Sequence, residues 1–203
     1  MSPESTLMRI HQAARKEFRE RGFHGASLRS IVKSLGMTTG AFYGYYKSKE
    51  DLFAALVEDH YRYLLDRFRQ AQEEFAHLPY ACQPEVLGDF SGACMFDMLH
   101  YAYDHLEDCQ LLLCCAEGTR FAGLVDEMVQ IETDATHNYF QVLEELGRPV
   151  PDIDLRLEHI LITGMFRTFF ELIIHAMPLN EAEKYLREMR AFYTAGWMKI
   201  MGQ

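Results

Sequence analysis

The sequence predicts an all-α protein: a small three-helix head followed by a larger helical body, about nine helices in total. Three observations carry this expectation. Apolar residues recur at helical spacing in nearly every segment, with no convincing strand alternation. The six prolines fall near the gaps between those runs. Charge also divides the chain, since residues 1–50 carry a net of +5 and residues 51–203 a net of −15. The domain boundary is placed after residue 50.

The first helix is expected over residues 5–21, with Leu7, Ile10, Ala14 and Phe18 on one apolar stripe. Gly22 suits a left-handed stop, and Phe23 then lands where it can touch Phe18. Ser27 is a good N-cap for a second helix that buries Leu28, Ile31, Val32 and Leu35 and ends at Gly36. Thr38 caps a third, over residues 39–46. Ser48 opens a fourth, with Asp51 as a shorter-armed version of the capping box. It runs to about residue 75 on an inner face of Leu52, Leu56, Tyr63, Leu64 and Phe68. The linker "HLPYACQPE" follows. Further helices are expected at 84–104, 107–116, 120–146, 153–177 and 180–201. Gly147 and Pro149 stop the third of these, Pro178 stops the fourth, and Asn180 with Glu183 caps the last.

Composition excludes several classes. Hydrophobic residues make up 49% of the 203, enough for a core. The most apolar stretch, residues 160–177, contains Arg167, Glu171 and His175, so no membrane span is expected. The opening "MSPESTLMRIHQAARKEF" lacks the apolar centre of a secretory leader, which points to the cytoplasm. Five cysteines, an odd number without a C-x-x-C pair, read as free thiols in a reducing compartment. Neither His100, Asp104 and His105 nor the adjacent Cys114 and Cys115 has the spacing of a closed metal site, so neither a metal nor another cofactor is expected. No nucleophile–base pair or phosphate loop appears, which argues against a helical enzyme.

Two short helices joined by a tight glycine turn inside a basic head make a helix-turn-helix. The segment from Ile10 to Leu56, with "AARKEFRERGF" and "SLRSIVKSLGMTTGAFYGYYKSKEDLF", resembles the N-terminal domain of the TetR/AcrR family of helix-turn-helix transcriptional regulators. The ending "FYTAGW" is also similar to many members. The resemblance implies a homodimer whose two heads grip successive major grooves of a double-stranded operator. It places DNA contacts at Thr39, Tyr43, Tyr45 and Lys49, with Arg29 matching a position that reaches a base edge. Phe42 and Tyr46, four residues apart, face the core. Thr38, Gly40 and Gly44 complete the candidate DNA-binding set, the glycines letting the helix backbone lie close to the duplex. Lys49, in the first turn of the fourth helix, is expected to offer its ammonium to a phosphate.

The last two helices are the expected dimer interface, with Leu161, Gly164, Thr168 and Leu172 on one and Tyr185, Met189, Phe192, Gly196 and Trp197 on the other. The middle helices are expected to surround a pocket for a small-molecule effector, with Met98, His100, Tyr101, Cys114, Phe121, Met128, Glu132 and Phe169 as lining candidates. Glu132 stands on an apolar stripe, where a carboxylate needs a partner. The function implied is a ligand-responsive repressor released from its operator when the effector tilts the fourth helix. Transcriptional activation is the alternative within the same family. An architectural DNA binder is disfavoured, because the acidic body repels long DNA.

Overall fold

The computed structural model describes residues 3–150 and 152–200. They are all-α, with helices α1 (Pro3–Gly25), α2 (Leu28–Ser34), α3 (Thr39–Tyr43), α4 (Lys49–Ala76), α5 (Gln83–Asp104), α6 (Leu106–Cys115), α7 (Leu124–Glu145), α8 (Leu155–Ile174) and α9 (Leu179–Ile200). Two compact units form, Met1–Tyr63 with His105–Gly123 and Leu64–Asp104 with Leu124–Gln203. The long α4 passes through both.

The first unit is built on aromatic packing. Phe18 of α1 meets Phe53 of α4 edge-on at 5.0 Å and stacks on Phe23 at 6.1 Å, while Phe23 meets Phe53 at 5.4 Å. Ile10, Ala14 and Phe18 are fully buried, as are Phe42, Leu52, Phe53 and Val57. Each buried phenylalanine contributes about 1.5–3 kcal/mol. Gly22 breaks α1 sharply with φ 64° and ψ 173°, and this turn folds Phe23 back onto Phe18. α6 packs along α1. There Arg15 makes two bonds to Asp108, Nε to Oδ1 at 2.6 Å and Nη2 to Oδ2 at 2.7 Å, with His60 of α4 at 3.7 Å from the same carboxylate. Burial raises the Asp108 carboxyl, but Arg15 and His60 overcome that and hold it down at about 2.

In the second unit the rest of α4 packs with α5, α7, α8 and α9. Phe68 meets Phe166 edge-on at 5.1 Å. The Tyr103 hydroxyl donates to the carbonyls of Leu172 at 3.1 Å and Met177 at 2.7 Å, and so satisfies an orphan carbonyl at the end of α8. Asp154 caps the start of α8 by accepting from Arg156 and Leu157.

Several elements differ from expectation for identifiable reasons. Ser27 stands at the N-cap of α2, yet its hydroxyl makes no cap bond. The buried Glu17 of α1 instead ties down the start of α2, accepting from Ser27 N–H at 3.1 Å and the Ser30 hydroxyl at 2.8 Å. α3 ends at Tyr43 rather than residue 46, because the Tyr45 and Tyr46 amides converge on the Phe42 carbonyl. α7 starts at Leu124 rather than residue 120. Thr119 takes the bonds a helix would need, its hydroxyl donating to Ala116 O at 2.7 Å and accepting from Phe121 N–H at 3.1 Å. The linker after α4 holds a short 3-10 turn, Tyr80–Cys82. α9 starts at Leu179, so Asn180 lies inside its first turn, and the Glu183 carboxylate goes to His100 at 2.7 Å. The expected end of α9 at residue 201 lies outside the described residues.

Candidate nucleic-acid interface and cavity

The helix-turn-helix is held by a complete Schellman turn. Gly36, with φ 63°, donates to Lys33 O at 3.1 Å, and Met37 donates to Val32 O at 3.1 Å. Thr38 then caps α3, accepting from Ala41 N–H at 3.2 Å. Phe42 is fully buried beneath α3, and Tyr46 is half-buried with its hydroxyl on His11. The opposite face is open. Arg29, Thr38, Thr39, Gly40 and Gly44 are exposed, with Tyr43 at 54% and Tyr45 at 38%. A Cβ on Gly40 would meet nothing within 4 Å, whereas one on Gly44 would sit 3.3 Å from Ala41 O. The face therefore offers phenolic hydroxyls and a bare backbone beside the exposed cations of Arg29, Lys33 and Lys47.

Lys49 is placed differently from the rest of that set. It is half-buried, and its Nζ donates to the carbonyls of Phe23 at 2.7 Å, Ala26 at 3.1 Å and His24 at 3.3 Å. The ammonium also lies 4.4 Å from the centre of the Phe23 ring. Expected to face a phosphate, it has an acceptor from the chain itself for each of its three donors.

A cavity of about 170 Å³ opens within the second unit. Phe75, Leu87, Met95, Tyr139, Met165, Met189 and Trp197 give it an apolar and aromatic wall. Gln72, Glu132, Thr136, Arg190, Tyr193 and Thr194 add polar groups. Gln72 donates to Glu132 at 2.7 Å. Burial pushes the Glu132 carboxyl up to about 7; the Gln72 bond opposes this, and the charge of Glu158 adds to it. Glu158 itself is buried, 2.9 Å from the His137 ring. The Arg190 guanidinium lies against Gly92 of α5, where a Cβ would overlap it.

Of the expected lining residues, Glu132 lines this cavity. Met98, Met128 and Phe169 are sealed in the core, and His100 is exposed with Glu183. Tyr101 is half-buried and Cys114 exposed. Phe121 belongs to the first unit, against Tyr61 and Phe53. Helical periodicity identifies inward faces, but it does not say which inward side chains leave space between them.

The model of "Bacterial regulatory proteins, tetR family" matches residues 10–56, the stretch that contains this helix-turn-helix. The HTH-type transcriptional regulator UidR of Escherichia coli K12 is 38% identical over 202 residues, spanning 98% of this chain and 92% of that protein. The chain belongs to the TetR family. An uncharacterized HTH-type regulator of Bacillus subtilis, YdgC, is 49% identical over 51 residues, 25% of this chain and 26% of its own. Among solved structures, a TetR regulator from Streptomyces coelicolor A3 shares the fold with TM-score 0.59 at 15% identity, covering 91% of this chain and 88% of its own. Salmonella enterica GusR does so with TM-score 0.50 at 18% identity, covering 100% and 98%. Membership of the TetR family makes this chain a ligand-responsive transcriptional regulator rather than an enzyme, and it implies DNA binding and homodimerisation.

The last two helices of this TetR-family chain carry an exposed apolar face. Ile160 is 62% exposed and Phe192 73%, with Leu157, Tyr185 and Met198 also exposed. Gly164 is half-buried near the Tyr193 hydroxyl, Thr168 and Gly196 are exposed, and Leu161 is half-buried. Leu172 does not belong to this face. It is 4% exposed and packs inward, so it has no surface left to offer a partner. Met189 and Trp197 turn towards the cavity.

No group of three or more metal-ligating side chains occurs among the described residues. None of their helices is long and apolar enough to cross a membrane. Burial pushes the Cys94 and Cys109 thiols up to about 12.

Proposed function

We propose that the chain is a repressor that grips an operator as a homodimer and is released when a small molecule fills the cavity of its second unit. Residues 1–50 form the DNA-reading part and residues 51–203 the sensing and dimerising part. The observation that carries this reading is the open face of α3. Thr39, Gly40 and Tyr43 are exposed there, with Thr38, Gly44 and Tyr45 at its ends and Arg29 nearby, while Phe42 anchors the helix from behind. Such a helix fits a major groove, its tyrosine hydroxyls meeting phosphates and the rings packing on sugars or thymine methyls. Arg29 is the one side chain of this set able to bond a guanine bidentately. Leu161, Gly164, Thr168, Tyr185, Phe192 and Gly196 are the proposed dimer contacts.

The effector enters beside Glu132, against the aromatic and methionine wall. A cavity that is largely apolar with a few convergent polar groups suits a small organic molecule.

The test is binding to a duplex that the wild-type protein enriches from a random-sequence library. Tyr43→Ala should weaken that binding at least ten-fold with its helical content unchanged. Wild-type affinity in this variant would remove α3 from the interface. A reporter driven from the enriched sequence should be repressed by the wild-type protein; enhanced expression would replace repression with activation.

A further inference from the structure

We propose that Lys49 is a positioning residue for DNA binding. Its ammonium clasps the corner between α1 and α2 to the start of α4 and thereby fixes how α3 is presented, without touching a phosphate. The inference rests on the reading of α3 as the DNA-facing helix.

The geometry is that of a closed site. A lysine ammonium has three N–H donors and no acceptor. All three have carbonyl partners within 3.3 Å, on Phe23, His24 and Ala26. These carbonyls lie just past the break at Gly22, where α1 ends and the chain turns into α2. The end of a helix carries partial negative charge, which a cation stabilises. The ring of Phe23, itself buried, covers a further side of the ammonium at 4.4 Å.

The position in the chain gives the clasp its consequence. Lys49 follows the α3–α4 connection directly, and the Ser48 hydroxyl accepts from Asp51 N–H at 3.0 Å to begin α4. α3 is thus held at its start by the Gly36 turn and at its end by a residue tied to the α1–α2 corner. Moving Lys49 to a phosphate would take its ammonium away from all three carbonyls at once.

Salt dependence separates clasp from contact. Each phosphate neutralised by a side chain steepens the fall of log affinity with log salt by about 0.9. The probe is the duplex enriched by the wild-type protein, titrated at several salt concentrations with wild type, Lys49→Met and Lys49→Arg, alongside thermal unfolding of all three. The clasp predicts that Lys49→Met binds roughly ten-fold more weakly at every salt concentration, with the wild-type slope and a lowered midpoint. Lys49→Arg should fail to rescue either property, because a planar guanidinium cannot aim three donors at carbonyls gathered around one point. A slope shallower by about one in Lys49→Met, or wild-type binding and midpoint in Lys49→Arg, would overturn the proposal.

If Lys49→Met does not fold, Lys49→Arg decides alone. If the wild-type protein enriches no duplex, the DNA-binding reading falls by itself. The midpoints then still judge the clasp, and unchanged values in both variants reject it.

Discussion

Glu132 is the residue whose environment most opposes its chemistry. Its carboxyl lies at about 7, above the ordinary 4.5, chiefly through burial. Near pH 4 the folded and unfolded chains both hold the proton, and nothing is lost. Between about 4.5 and 7 the unfolded chain releases it first, so stability falls across that window and stays low above it. Glu132→Gln should therefore be about 2–3 kcal/mol more stable than the parent at pH 8 and similar to it at pH 4. Urea unfolding at the two pH values measures the difference. Equal stability at pH 8 would mean that the carboxylate is well solvated in the folded chain. Such a cost inside a cavity supports the proposed effector site over a purely structural role for Glu132.

The proposed recognition helix shows the same tension. α3 spans only Thr39–Tyr43, with Gly40 in its first turn at an ordinary helical conformation and open space where a side chain would stand. Gly40→Ala should stabilise the free protein by up to about 1 kcal/mol. It should also weaken binding to the enriched duplex, because the added methyl stands between backbone and DNA. Thermal unfolding and a binding titration read the two effects, and tighter binding would show that the backbone does not approach the duplex there.

Local signals made most element boundaries readable in advance. Gly22, Gly36 and Gly147 all adopt the positive φ expected of stops, and Thr38 and Ser48 cap as their sequence contexts indicate. What escaped was non-local. The start of α2 is tied down by Glu17, ten residues before Ser27. The carbonyl partners of Lys49, expected to face a phosphate, lie 23 to 26 residues earlier in the chain. Short-range patterns do not encode such meetings.

At the scale of the molecule, composition alone shows that residues 1–50 are net basic and residues 51–203 net acidic, whereas the compact units divide the chain after Tyr63 and return His105–Gly123 to the first. The proposed dimer face is read from apolar stripes on the last two helices, which the sequence pattern displays. Leu172 was the exception, because a stripe's edge reads the same whether it turns inward or outward. Phe192→Asp, at the most exposed large apolar side chain, should convert the dimer to a monomer at micromolar concentration, as read by light scattering. Affinity for a two-half-site duplex should then fall about 100-fold or more with the loss of the second head. An unchanged mass would exclude this face as the interface. The cavity was the least legible feature, because void depends on how five helices fit together and not on any one of them.

Gly92 adds an evolutionary consequence to that cavity. It does not line the space, yet its missing side chain is what seats the Arg190 guanidinium against α5. Any substitution at this position evicts the end of a long, pliable arm and moves a positive charge relative to the cavity wall. A single codon outside the pocket can thus redraw its charge layout while every lining residue stays the same. If the proposed effector binds this cavity, a change at Gly92 is a route to altered effector preference that pocket residues alone would not reveal.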